Sequence, residues 1–172
     1  FEAYGNLYQW GRGSDGHEVI NWTSSSGSDG AEQSNESTSQ STSPNPGSTF
    51  IIGFPNWYNG TNPNDLWKPD LTGVNNPCPS GYRVPSEAEW NAERLSWSSN
   101  NAAGAYASPL NLPVAGRRVL STGGLSGVGS GGNYWSSTVV GTVARGLRFD
   151  SSSAVVGTNN RALGFSVRCL KD

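Results

Sequence analysis

Apolar and polar positions alternate in short runs along this chain, and no single period is kept for long. Tyr4-Gly5-Asn6-Leu7-Tyr8-Gln9-Trp10 alternates, is rich in aromatics, and predicts a strand. Gly11 to Gly16 then turns. Residues Thr23 to Thr49 are a low-complexity stretch of Ser, Thr, Asn, Gly and Pro. Such a stretch cannot bury a core and predicts an exposed, mobile insertion loop. Phe50-Ile51-Ile52 is a short apolar run. The turn formers Asn56 to Asp65 follow, and Leu66-Trp67 interrupts them as an apolar plug for the core.

The clearest local signal is Pro85-Ser86-Glu87-Ala88-Glu89-Trp90. Ser86 is a good N-cap, and Glu89 three residues on completes a capping box. Two acids in the first turn suit the helix dipole. A helix is predicted from Ser86 to Ser96, with Ala88, Ala92 and Leu95 on one face. Leu112-Pro113-Val114-Ala115 and Asn133-Tyr134-Trp135-Ser136 are candidate strands. In Arg145 to Asp150, Leu147 and Phe149 point one way, and Gly146, Arg148 and Asp150 the other. In Phe165 to Leu170, Phe165, Val167 and Cys169 share the inward face. The fold class is α+β: small antiparallel sheets with one or two helices and long loops.

The chain has 172 residues, enough for one domain with one core. Hydrophobic content is only 34%, yet there are 7 Trp, so the few core positions are filled by large rings rather than left disordered. The formal charge of −2 supplies no basic field for nucleic acid. No apolar run is long enough for membrane insertion. Met is absent, so translation is expected to start outside these residues, as in a processed or trimmed chain.

Candidate chemistry is sparse. Cys78 and Cys169 could pair or remain buried free thiols. Together with the lone His17 they are too few for a zinc site. His17 between Asp15 and Glu18 reads as a turn residue before it reads as a metal ligand or base. No G-x-S-x-G elbow supports a hydrolytic triad, so the chain is not expected to be an enzyme or to carry a cofactor or metal. The Glu-Pro-Asn, Gln-Pro-Asp and Trp-Asn-Asp triplets of calcium-dependent sugar binding do not occur. Asn62-Pro63-Asn64-Asp65 reads as an ordinary turn. Arg117, Arg118, Arg145, Arg148, Arg161 and Arg168 have only Asp150 as a local acid, which leaves room for an anion-binding patch. Arg145, Arg161 and Arg168 are expected to bond loop carbonyls. Three Asn-x-Ser/Thr sequons, at Asn21, Asn35 and Asn59, are read as incidental.

Several separated motifs carry a resemblance to a known family. These are Tyr8-Gln9-Trp10-Gly11-Arg12 with Asp15 to Glu18, and Asn76-Pro77-Cys78-Pro79-Ser80-Gly81-Tyr82-Arg83-Val84-Pro85-Ser86 with Glu89-Trp90. The others are Tyr134-Trp135-Ser136-Ser137-Thr138 and Arg161-Ala162 with Gly164 to Cys169. In this order they resemble the Fibrobacter succinogenes major paralogous domain family, over most of the chain except the Ser-rich insert. The resemblance implies a C-type-lectin-like fold related to the formylglycine-generating-enzyme type. It also implies an extracellular protein of Bacteroidetes or their phage, on a virion tail tip or a bacterial cell surface. Formylglycine-generating enzymes use a nearby pair of reactive cysteines. Cys78 and Cys169 fall at framework positions instead, which implies a structural bridge.

A subset of such domains is rewritten by diversity-generating retroelements at Asn-type codons, which cannot yield Lys, Glu, Gln, Met or Trp. From Ala115 to Arg168 this chain has no Lys, Glu, Gln or Met, and its only Trp there is Trp135. The variable region is therefore expected at 115–168, with the residues that pack left as framework. The outward set is Val140, Val143, Gly146, Arg148, Asp150, Ser153, Val156, Gly157, Thr158, Asn159, Asn160 and Leu163. A second group lies upstream: Arg117, Val119, Leu120, Thr122, Gly124, Gly127, Gly131 and Asn133. The expected partner is a host-cell-surface or other extracellular protein or glycan. Oligomeric state stays open, because no heptads appear. The rival readings are a fixed adhesin or surface module of the same fold, and a cryptic enzyme, which would need a pocket of convergent titratable groups.

Overall fold

A computed structural model describes residues 3–23, 30–32 and 35–172. The early strands are short: β1 (Tyr8–Gln9), β2 (Ile20–Trp22), β3 (Gly30–Glu32), β4 (Glu36–Ser37), β5 (Phe50–Ile51) and β6 (Tyr82–Arg83). Two helices follow, α1 (Glu87–Leu95) and α2 (Ala102–Ala107). The rest are β7 (Arg117–Arg118), β8 (Leu125–Ser126), β9 (Gly132–Val140), β10 (Val143–Phe149), β11 (Ala154–Asn159), β12 (Gly164–Phe165) and β13 (Leu170–Lys171). This is a small mixed α+β protein of mainly antiparallel sheets.

The longest strands form the antiparallel sheet β11-β10-β9, against which α1 packs. β9 serves two cores at once, because successive side chains leave a strand on opposite faces. Tyr134 packs with Trp90, Leu147, Phe149 and Val156. Trp135 packs with Trp10, Trp57, Trp67 and Phe165. A second sheet, β1-β12-β7-β8, places Tyr8 opposite Phe165 and so joins the two ends of the chain. The pair β13-β6 sits beside a disulfide between Cys78 and Cys169. The cysteines are thus bridged rather than free.

The indoles explain how so loop-rich a chain holds together. All seven Trp side chains donate a hydrogen bond, and most of them reach a main-chain carbonyl. Trp10 reaches Ser136, Trp57 reaches Trp10, Trp90 reaches Trp135, and Trp135 reaches Tyr8. Each of these four buried rings removes a large apolar area from water and also satisfies a main-chain carbonyl. Leu66 and Trp67 are buried, as the apolar plug predicted.

Several local expectations are corrected. α1 has its capping box at Ser86 and Glu89, but Ala88, Ala92 and Leu95 face solvent, and Trp90 is the buried anchor. Trp90 is the largest apolar side chain of the helix, and its indole also donates to the Trp135 carbonyl, so its face is the one turned to the sheet. The first predicted strand is paired only at Tyr8–Gln9. Leu112 to Ala115 is a non-strand segment in which Leu112 and Ala115 are buried. Between Phe165 and Leu170, Phe165 is buried while Val167 and Cys169 are only half-buried. Of the Ser-rich stretch, residues 24–29 and 33–34 lie outside the described residues. From Asn35 onward it is exposed but anchored. Asn35 accepts from Phe50, β4 pairs with β5, and Ser41 and Ser43 accept from backbone N–H groups two residues on. Such short-range serine turns replace the missing apolar contacts.

Candidate functional site

The β10–β11 hairpin turns on Asp150-Ser151-Ser152-Ser153. Asp150 Oδ1 accepts from the Ser152 hydroxyl and from the N–H groups of Ser152 and Ser153. These bonds, that of the Ser152 hydroxyl first, hold the carboxyl below its ordinary range. The turn fixes the register, with Arg148 opposite Val155 and Leu147 opposite Val156. Across from it, β7 pairs with β8, Arg117 opposite Ser126, and the chain continues through Gly127 to Gly131 into β9.

Between these two arms lies an open cleft of about 540 Å³. It brings together Arg117, Gly127, Gly131 and Asn133 from the upstream group and Arg148, Asp150 and Ser153 from the downstream group. Ser126, Ser130, Ser151, Ser152 and Val155 also line it and were missed by alternation alone. Val155 was legible from the Asp-Ser-Ser-Ser turn, which sets the hairpin register.

The structure corrects the outward assignment at several positions. Val156 is buried against Leu147 and Phe149, and Val155 beside it is the exposed one. Gly146 is buried; a Cβ there would lie 2.9 Å from the Tyr134 carbonyl oxygen. Asn133 and Asn159 are buried, and their amides donate to Gly116 and Gly157. Leu120 and Leu163 pack against the Trp135 core. Val140, Thr122 and Thr158 are exposed, and Val143, Gly157, Asn160, Val119 and Gly124 half-buried; none lines the cleft, though Gly157 lies against the Arg148 guanidinium, 3.3 Å from where its Cβ would be. Val156→Ser is therefore expected to cost about 2 kcal/mol, and Val155→Ser less than about 0.5 kcal/mol, in urea unfolding.

The other candidate groups are engaged within the fold. His17 is fully buried: its Nε2 accepts from the Gln9 N–H at 3.0 Å, and Nδ1 faces Asp15 Oδ1. Asp15, His17 and Glu18 stand close enough to recruit a metal, but this pattern already commits both imidazole nitrogens. Burial, helped by the cations of Arg12 and Arg118, pushes His17 down to about 4. The folded state thus keeps the imidazole neutral where the unfolded chain would protonate it. The resulting stability is full above pH 6.5 and is lost as pH falls toward 4, by roughly 3 kcal/mol. Titration of the single imidazole by NMR should accordingly show no protonation above about pH 5.

Arg161 is buried and donates to the carbonyls of Pro63 and Gly141 and to Asn64 Oδ1. A guanidinium thus occupies two oxygens of the Asn62–Asp65 turn, and Lys68 pairs with the Asp65 carboxylate. Arg145 instead bonds Glu87 and the Val156 carbonyl. Arg168 is exposed, without the expected carbonyl bond among the described residues. No family model, curated protein or solved structure matches the chain.

Proposed function

We propose that this chain is a C-type-lectin-like display domain that binds an extracellular protein or glycan through the cleft between the β7–β8 arm and the β10–β11 hairpin. In this reading a retroelement rewrites the cleft's exposed side chains, and the domain stands on a phage tail tip or a bacterial surface. The observation that carries the reading is convergence. Two groups of positions, chosen from separate stretches of sequence, meet around one open cleft. The cleft rests on paired strands and a disulfide-closed framework, so its side chains can change while the backbone stays ordered. No catalytic step is part of this reading. Among the described residues, no helix is long and apolar enough to cross a membrane.

A fixed surface adhesin of the same fold is the second reading. It is favoured by the burial of Gly146, Val156, Asn133 and Asn159, which leaves fewer positions free to vary. Deep resequencing of the coding region across the source population separates the two. Diversification predicts substitutions concentrated at Arg117, Gly127, Gly131, Arg148, Asp150, Ser153 and Val155, with Trp135, Leu147, Phe149, Val156, Phe165 and Cys169 spared. Sparse changes scattered over all loops would favour the fixed adhesin.

A further inference from the structure

Most arginines are already committed within the fold. Arg12 bonds Gln9 and Asp15, Arg83 bonds Glu89 and Asp172, and Arg118 bonds Glu36. Arg94 bonds Asn91 and Asn100, Arg145 bonds Glu87, and Arg161 bonds loop oxygens. Arg117, Arg148 and Arg168 differ, with no side-chain hydrogen bond or ion pair among the described residues, and of these Arg117 and Arg148 line the cleft. Among the described residues the only carboxylate in the lining is Asp150, and one of its oxygens is held by its own turn. Its described lining therefore carries two cations against one anion, in a chain of net charge −2.

The rest of the lining suggests the kind of molecule that bears the anion. The hydroxyls of Ser126, Ser151 and Ser153 have no partner among the described residues, and each can donate and accept. Among the described residues, the apolar side chains of the lining are Val155 and the buried Phe149. A protein ligand usually seats an aromatic or aliphatic anchor in an apolar pocket, and these two side chains offer such an anchor little to fill. Its volume, about 540 Å³, lies in the range of small-molecule sites.

We infer that the cleft binds an acidic sugar, whose carboxylate or sulfate lies between the guanidiniums of Arg117 and Arg148 and whose hydroxyls meet the serine rim. The inference rests on the reading of the cleft as the binding face, and not on its diversification. A guanidinium presents paired N–H donors that match a carboxylate or sulfate edge, so orientation and charge are recognised together.

The test is a titration of the full 172-residue chain, ¹⁵N-labelled, with glucuronic acid, galactose 6-sulfate and neutral galactose at fixed ionic strength. Saturable shifts are expected at the Arg117 and Arg148 side chains and the Ser151–Ser153 amides with an acidic sugar, and not with galactose. Which of the two acidic sugars binds tells carboxylate from sulfate. Arg148→Ala is expected to weaken binding at least tenfold without moving the unfolding midpoint, since Arg148 is exposed. Arg148→Lys, which keeps the charge and loses the fork, should fall between. Arg117→Ala, checked for folding by its spectrum, should match Arg148→Ala. The inference is overturned if neither acidic sugar shifts these signals, if galactose shifts them equally, or if an Asp/Glu-rich peptide binds there and the sugars do not. None of these outcomes alters the population pattern of substitutions, so the two readings fail separately.

Discussion

Replacing both Cys78 and Cys169 with serine is expected to lower the free energy of unfolding by about 4–5 kcal/mol. The bridge spans a sequence separation of 91 residues. That loop contains both helices, the β9–β11 sheet and the whole cleft. Closing so long a loop removes much of the freedom of the unfolded chain. The folded side offers little to compensate for its loss. β6 and β13 pair over two residues each, and Leu170 and Lys171 are exposed. Arg83 reaches Glu89 and Asp172, but both acids are substantially exposed, and such pairs contribute little. A loss of this size is a large share of the stability of a typical domain. Urea unfolding of the double variant against the oxidised parent measures it, and hydrogen exchange at Tyr82, Arg83 and Leu170 should rise first. A difference under about 1 kcal/mol would mean that the unfolded chain is already compact around this loop.

The sequence showed some of this architecture and hid the rest for physical reasons. The start of α1 was legible because Ser86 and Glu89 are a local device, complete within one turn. Its buried face was not, because Ala88, Ala92 and Leu95 form as regular a stripe as the one built on Trp90, and only the sheet beneath decides between them. In β10 the contrast of Leu147 and Phe149 with Arg148 and Asp150 made the faces readable, and both sides of that contrast are observed. In β11 the neighbours Val155 and Val156 are chemically alike, so alternation could not choose between them. The hairpin turn chose. Gly146 matched the outward parity but has no side chain to express it, and a register shift in the β9–β10 ladder lies beside it. The cleft itself depended on β7–β8 meeting the hairpin, a long-range contact that no local pattern encodes.

The least legible part is the polar core. Gln9, Arg12, His17, Arg118 and Arg161 are all buried, although their composition marks them as surface residues. Each guanidinium is stacked over a ring as well as hydrogen-bonded: Arg12 over Trp57, Arg118 over Phe50, Arg161 over Trp10. Large rings and arginine forks therefore supply together what a longer sheet would supply with backbone ladders.

Gln9→Leu is expected to expose how much that polar core contributes, with a loss of about 3–5 kcal/mol. The Gln9 amide uses both of its ends. Its Nε2 donates to the carbonyls of Ile51 at 2.7 Å and Ala162 at 2.8 Å. Its Oε1 accepts from the Ile51 N–H at 3.0 Å and from Arg12 Nη1 at 2.8 Å. One side chain thus joins β1, β5 and the approach to β12, three segments far apart in sequence. Leucine keeps the approximate volume but strands the Ile51 N–H and two carbonyls where water cannot reach them, and each such group costs about 1–3 kcal/mol. Arg12 suffers less, since it also donates to the Thr49 carbonyl and to Asp15. Gln9→Met, more flexible and equally apolar, should lose as much as Gln9→Leu if hydrogen bonds rather than shape set the cost. Urea unfolding of the two variants measures this. A loss below about 1 kcal/mol in both would mean that the chain re-satisfies these groups by local movement. Well below the melting temperature, neither variant should alter binding at the cleft, because Gln9 does not line it. The framework then carries stability and the open side chains carry recognition, a division that allows the second to change without loss of the first.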